Sequence, residues 1–275
     1  MLEIPEATVM AGQINDTLTG KRIVGIITAH SPHKFAWFSG QPEEYQGWLI
    51  GQTIDGASAL GGMVEIQAGR VRLLFGDGVN LRFHSEGDKR PAKHQLLMDF
   101  EDGTALSASV QMYGGLWCFP EGTFQNPYYQ AAVGKPSPLE REFDRVYFDT
   151  LLAAPEAGKM SAKAWLATEQ RIPGLGNGVL QDILYNALIH PKRKIGSLDE
   201  GEKETLFRAI KDTLADMAVN GGRDTEKDLF GKAGGYKTKA SKLTAGSTCP
   251  VCGGIIRRES YLGGSIYYCD RCQKI

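Results

Sequence analysis

Two cysteine knuckles near the C-terminus constrain this chain more than any other feature. Cys249-Pro-Val-Cys252 and Cys269-Asp-Arg-Cys272 are CxxC pairs with sixteen residues between them. Each pair supplies two sulfurs from one tight turn, and two pairs at this separation match a tetrahedral four-thiolate zinc site. Four protein ligands leave no open position, so such a zinc is expected to be structural. Two redox pairs or two disulfides are the alternative chemistry for the same residues. Gly253 and Gly254 follow the first pair, where a positive φ is often needed. The stretch from Arg257 to Tyr268 reads as a hairpin with its tip at Gly263-Gly264. A basic zinc ribbon of this kind is a common nucleic-acid module; a ribbon that only staples the C-terminus is the plainer reading. The fifth cysteine, Cys118 in Trp-Cys-Phe, reads as a buried free thiol.

The rest of the chain sets the class. With 275 residues and 42% hydrophobic content, general disorder is excluded and two domains are expected. No run of about 18 apolar residues occurs, so no membrane span is expected. The start, MLEIPEATVMAGQ, lacks the basic and apolar regions of a secretory signal. Five cysteines are too few for a disulfide-stapled secreted domain. A cytoplasmic protein is the expectation. The formal net charge of -1 hides an asymmetry. Residues 1–150 hold 12 Lys/Arg against 18 Asp/Glu, a balance of -6; residues 151–275 hold 19 against 14, a balance of +5. From Lys232 to Lys274 eight basic residues face only Glu259 and Asp270. A basic block on one domain is an electrostatic footprint for phosphates, although a solvated face has the same composition.

Hydrophobic periodicity divides the chain. Residues 5–18 are loosely helical in spacing, with Pro5 suited to a first turn. Short apolar or alternating runs follow at Ile23–Thr28, Lys34–Ser39, Met63–Gln67, Val71–Phe75, Val79–Phe83, Gln95–Phe100, Ala105–Met112 and Leu116–Phe119. GDG at 76–78 and EDG at 101–103 read as turns between them. Many short strands at close spacing predict a β-sandwich or barrel. Residues 120–138 contain four prolines and read as a linker. Helices are then expected at Pro138–Leu152, with Ser137 and Glu140 as a capping box, and at Ser161–Thr168, Gly178–Leu188 and Leu198–Met217, the last with Glu200 as capping-box partner. The expected architecture is α+β and multidomain. Residues 1–125 form an N-terminal helix and β-sandwich, 126–244 a helical domain, and 245–275 the ribbon.

Arg171-Ile-Pro-Gly-Leu-Gly-Asn-Gly178 is a glycine-rich turn between two expected helices. Backbone N–H groups in such a turn, with a helix dipole behind them, favour a phosphate. Gly176 and Asn177 are candidates for that contact, and Asn177 is equally suited to cap the following helix. Lys192-Arg193-Lys194 follows the Ile189-His190-Pro191 stop as a basic cluster. Gly221-Gly-Arg-Asp-Thr through Gly234-Gly-Tyr reads as a mobile, ligand-facing loop.

Together these features resemble the formamidopyrimidine-DNA glycosylase / endonuclease VIII family. The Met-Leu-Glu-Ile-Pro-Glu start, the strand-rich first half, the PGLGNG…NALIHP segment and the ribbon ending CDRCQK carry the resemblance, which covers essentially the whole chain. It implies a helix–two-turn–helix DNA-binding domain beside the sandwich, a structural Zn2+, and double-stranded DNA, damaged or abasic, held by a nucleoid-associated monomer in the cleft between domains. The activity implied is that of a DNA glycosylase with an associated AP lyase: a damaged base is flipped out, and the N-terminal amine attacks the sugar C1′ to form a Schiff base.

That resemblance also exposes departures. The family's nucleophilic proline falls at Leu2, which leaves Met1 as the expected terminus, while Glu3 is in place as the proton shuttle. The family's strand lysine falls at Gly69, beside Arg70, and its finger arginine at Gly264. Asn177 is kept. The family's arginine–phenylalanine wedge falls at Gln111-Met112-Tyr113, so Met112 or Tyr113 is expected to fill the gap left by a flipped base. Lys192, Arg257 and Arg258 are the expected basic DNA contacts. Two outcomes remain open: an active glycosylase with an altered mechanism, in which Met1, a lysine such as Lys93, or water replaces the proline, and a catalytically silent protein that binds damaged DNA. A zinc-ribbon interaction protein without DNA is a remoter third.

Overall fold

The computed structural model describes residues 1–275. The chain opens with helix α1 (Ile4–Leu18), which carries Pro5 in its first turn. Ile4, Ala7, Met10, Ala11, Ile14 and Leu18 are buried, the three-to-four spacing of a helix with one apolar face. Ala7, Met10, Ile14 and Leu18 of that face pack into the sheet core, while Ile4 turns to the helical half, which α1 also meets through the helix Glu200–Val219.

Strands β1 (Ile23–Thr28) and β2 (Ala36–Phe38), helix α2 (Tyr45–Leu49), and strands β3 (Gly56–Leu60), β4 (Met63–Ala68), β5 (Val71–His84), β6 (Leu96–Phe100) and β7 (Ala105–Pro120) follow. The strand order is β1-β6-β7-β5-β4-β3, with β2 running parallel to β7 at its far end. The first half of β5 pairs with β4 and the second half of β7, and the second half of β5 with the first half of β7, which also holds β6. The two long strands thus join two half-sheets over one core containing Ile23, Met98 and Leu106 with Val64, Leu73 and Phe75. This is the expected sandwich.

The GDG motif is not a turn. β5 runs straight through it, and β7 through residues 111–115, so four expected strands are two. The pairing instead slips: Asp77 faces Gly114 and Val79 faces Val110, so Gln111, Met112 and Tyr113 bulge out opposite Gly78 alone. Asp77 takes a left-handed φ of 59°, which Asp tolerates better than most residues. A Cβ at position 78 would lie 2.6 Å from the Tyr113 carbonyl oxygen, so only glycine fits there. The period-2 pattern read from the sequence stops at a bulge as it does at a turn.

The proline-rich stretch is not all linker. Helix α3 (Pro127–Gly134) starts on Pro127, and the Asn126 side chain accepts from the Tyr128 and Tyr129 amides; proline at a first helical position starts a helix rather than breaking it. Helix α4 (Arg145–Leu152) begins later than expected, capped by Asp144; Ser137 and Glu140 bond to each other in a turn upstream. Helices α5 (Ala162–Ala167), α6 (Val179–Asn186) and α7 (Glu200–Val219) complete the helical part. The capping box of α7 is Asp199 with Glu202, not Ser197 with Glu200. Strands β8 (Ile256–Tyr261) and β9 (Gly264–Cys269) form the ribbon, turning at Leu262-Gly263 rather than one residue later.

Two residues cross between the large cores. Ile4 belongs to the helical core, and Leu229, fully buried, to the sheet core. No helix is long and apolar enough to cross a membrane.

Candidate functional site

A cleft of about 990 Å3 lies between the sheet and the helical half. Met1, Leu2 and Glu3 reach it from the N-terminus, Asp77, Met112 and Tyr113 from the bulge, Gly176 and Asn177 from the glycine-rich turn, and Leu262 to Gly264 from the ribbon tip.

Glu3 ties three elements together. Its carboxylate accepts from the Gly178 amide at 2.9 Å and the Val179 amide at 2.7 Å. These are N–H groups of the first turn of α6, whose own N-cap, Gly178, has no side chain to offer. An anion at a helix N-terminus satisfies donors that the helix cannot. The amides expected to cradle a phosphate therefore hold a carboxylate of the same chain. Two glycines of the turn are explained by this cluster: a Cβ at Gly176 would lie 2.6 Å from Glu3 Oε1, and one at Gly178 would overlap Arg223 Nη1 and lie 2.9 Å from Glu3 Oε1. Asn177 does not cap the helix; its Nδ2 donates to the Ser265 carbonyl of the ribbon at 3.1 Å.

Behind Glu3 stands Arg223, almost fully buried. It is bidentate to Glu6, with Nε 2.9 Å from Oε1 and Nη2 2.8 Å from Oε2, and its Nη1 lies 3.5 Å from Glu3. Burial pushes the Glu3 carboxyl above its ordinary range, against the opposing pull of Arg223 and the two amides. Arg223 lies in the glycine-rich loop expected to be mobile and to face a ligand. The loop is instead fixed: Asp228 accepts from Gln13 and Arg82, Leu229 fills the sheet core, and no residue from 221 to 236 lines the cleft.

Leu2, where the sequence resemblance puts the family's nucleophile, is buried, and its nitrogen is a peptide N–H that donates to the Asp77 carbonyl at 2.8 Å. The Met1 amine is paired with Glu226. Lys93, Gly69 and Arg70 do not reach the cleft. In the bulge, Met112 is 66% exposed, and Tyr113 packs at 5.9 Å against Trp37, both of which line the cleft.

The expected basic contacts lie elsewhere. Lys192 is paired with Glu259, Arg193 with Glu202 and Arg257 with Asp270, and neither Arg257, Arg258 nor Lys192 lines the cleft. Sequence reasoning missed the cation that does. Lys163 is only 5% exposed, donates to the Tyr261 carbonyl, and has no carboxylate partner. A Cβ at Gly264 would lie 3.3 Å from its Nζ and 3.6 Å from the Asn177 amide. A lysine between the buried Ala162, Trp165 and Leu166 of α5 was the available signal, since a lysine on an apolar face is rarely idle.

In the ribbon the four cysteine sulfurs lie within 4.8 Å of one another, with Cys252 and Cys269 3.4 Å apart and Cys249 and Cys272 3.9 Å. Sulfurs at about 2.3 Å from one tetrahedral zinc sit close to this spacing, so the four cysteines fit a structural zinc. The ribbon docks on α6: the Tyr267 amide donates to Gln181, and Gln273 donates to the Ile189 carbonyl. Cys118 is buried in the sheet core, where burial pushes its thiol up to about 12; no basic group activates it.

The sandwich, the glycine-turn helical unit gripping Glu3 and the four-cysteine ribbon define a protein of the helix–two-turn–helix, zinc-ribbon class. Residues 246–275 match the family described as "Zinc finger found in FPG and IleRS". The chain is 29% identical over 218 residues to formamidopyrimidine-DNA glycosylase of Pectobacterium atrosepticum, covering 77% of this chain and 78% of that one. To the enzyme of the same name from Enterococcus faecalis it is 28% identical, covering 100% of this chain and 98% of the other. Lactococcus lactis Fpg, solved with DNA containing an abasic site, has the same fold: the TM-score is 0.82 at 22% identity, over 99% of this chain and 100% of that one. Over essentially its whole length the chain is similar to formamidopyrimidine-DNA glycosylases.

Proposed function

We propose that this protein is a base-excision DNA glycosylase that holds damaged duplex DNA in the cleft, flips the base and breaks its N-glycosidic bond by a mechanism altered from the family's. The observation that carries the reading is the placement of Glu3. The family's acidic residue stands at the cleft wall, fixed by the turn that also presents Asn177. Lys163 and Asn177 converge at the ribbon tip as phosphate-binding donors, and Lys163 supplies there the positive charge that Gly264 lacks. Met112 and Tyr113 project from the bulge as the wedge for the vacated stack. The ribbon's zinc holds that tip in place; it has no part in the bond cleavage. The protein acts as a monomer on double-stranded DNA inside the cell.

Incubation with duplexes carrying a single formamidopyrimidine or oxidised pyrimidine tests this, with the freed base read by mass spectrometry. Base release above the uncatalysed rate is expected, and none from any such duplex would refute it. A second reading, a silent binder of damaged DNA, is favoured by the peptide N–H at Leu2 and the glycines at 69 and 264. It predicts salt-dependent duplex binding with no base release. Borohydride treatment with abasic DNA reports on the family's second activity: a trapped adduct marks an amine nucleophile and AP lyase chemistry.

A further inference from the structure

Asp77 is the second carboxylate of the cleft, beside Glu3. It sits at the bulge where β5 and β7 slip, with a left-handed backbone and Gly78 pressed against the Tyr113 carbonyl. Bulges beside clefts re-aim side chains, and this one sets Asp77 in the lining of the cleft that Glu3 also lines. The Asp77 carbonyl holds the Leu2 N–H, so the Asp77 backbone is tied to the segment where the family's amine would attack. Unlike Glu3, which is spent on two amides and Arg223, Asp77 has no hydrogen-bond or ionic partner, and burial alone pushes its carboxyl up. The Leu2 nitrogen is a peptide N–H committed to the Asp77 carbonyl, and the Met1 amine is paired with Glu226.

The geometry points to Asp77 as a catalytic base that activates water for attack on the sugar C1′, in place of the family's amine. This rests on the glycosylase reading. Asp77 accepts a proton from a water in the cleft as that water's oxygen bonds to C1′. The bond from C1′ to the base nitrogen breaks, and its electron pair leaves with the base. The base takes a proton from solvent, and Asp77 returns its own to solvent. The products are the free base and an abasic site with a hydroxyl at C1′; no covalent enzyme–DNA intermediate forms.

The test compares wild type, Asp77→Asn and Asp77→Gly on duplexes containing one formamidopyrimidine or one oxidised pyrimidine, with affinity for a tetrahydrofuran abasic analogue measured in parallel. Both substitutions tolerate a positive φ, and thermal melting checks the fold. Asp77→Asn is expected to bind the analogue within about threefold of wild type and to release base at least about 100-fold more slowly, the usual scale for loss of a general base. Added formate is expected to restore release at least about tenfold in Asp77→Gly, with no effect on Asp77→Asn. Base release by Asp77→Asn within about threefold of wild type would overturn the assignment, as would a borohydride-trapped adduct formed by wild type as fast as base is freed. A wild type that binds the analogue but frees no base would overturn the glycosylase reading itself, and the assignment with it.

Discussion

Replacing Arg223 with methionine tests whether the N-terminal segment is held by charge or by packing. The guanidinium faces Glu6 through two hydrogen bonds of 2.9 and 2.8 Å and Glu3 at 3.5 Å, with all three side chains at most 6% exposed. At an effective dielectric of about 20, each pair is worth about 4 kcal/mol, or about 8 kcal/mol for the two. The desolvation of Arg223 offsets several kcal/mol of that, leaving a net loss of about 3–5 kcal/mol on Arg223→Met. Methionine fills similar volume, so the loss reports charge rather than a cavity. The pH dependence gives an independent sign. Without the cation, the buried Glu3 carboxyl, already pushed up by burial, loses the pull of Arg223 and holds its proton more tightly in the folded chain than in the unfolded one, where it titrates near about 4.3. The folded variant then takes up protons before the unfolded one as pH falls, so its deficit against wild type shrinks between pH 7 and pH 5. Urea unfolding at the two pH values measures both quantities, and Glu6→Gln in the Arg223→Met background is expected to recover part of the loss. A loss below about 1 kcal/mol at pH 7, or a deficit that grows on acidification, would refute the reasoning.

Further expectations concern the ribbon, the cleft and the loop. Cys269→Ser is expected to lose bound zinc and weaken DNA binding, because structural zinc couples to folding; metal analysis showing unchanged zinc would contradict it. Lys163→Gln is expected to weaken binding to an abasic-analogue duplex and lower the log–log salt slope by about 1, as removal of one phosphate contact does; an unchanged slope would place Lys163 off the phosphates. Leu229→Ala should destabilise the protein by about 2–5 kcal/mol, read by urea unfolding. Its side chain is fully buried in the sheet core although its loop comes from the other half of the chain; a loss of a few tenths would show that the loop only rests on that core.

How far the sequence carried this structure depended on how local each determinant is. The zinc ligands were legible because each CxxC pair closes on itself, and α1 because its apolar positions repeat within one helix. Glu3 was legible as a site residue only through the family's start motif. Its partners, the amides of Gly178 and Val179, lie about 175 residues away, a distance no periodicity spans. Asp77 was hidden by a correct local rule applied to the wrong structure: a glycine-flanked aspartate interrupts a strand pattern whether the chain reverses or only bulges. Lys163 was passed over because α5 has six residues, too few for its buried face to register. The loop at 221–236 was misread because its glycines suggested freedom, whereas Arg223 and Leu229 anchor it to residues more than 140 positions away.

The family positions altered in this chain differ in what replaces them. At Gly264 the missing guanidinium leaves room in which Lys163 places an ammonium beside Asn177; one cation gives way to another, so phosphate binding is expected to persist. At Leu2 a peptide N–H stands where an amine would be, and its acceptor is the backbone of Asp77, whose side chain is a carboxylate. With Lys163 as phosphate contact and Asp77 as base, a cation in place of a cation would keep a binding contact, whereas a carboxylate in place of a nucleophilic amine would change the reaction from covalent attack to activation of water. The two substitutions therefore predict separable behaviour: DNA affinity that follows Lys163 and salt, and base release that follows Asp77.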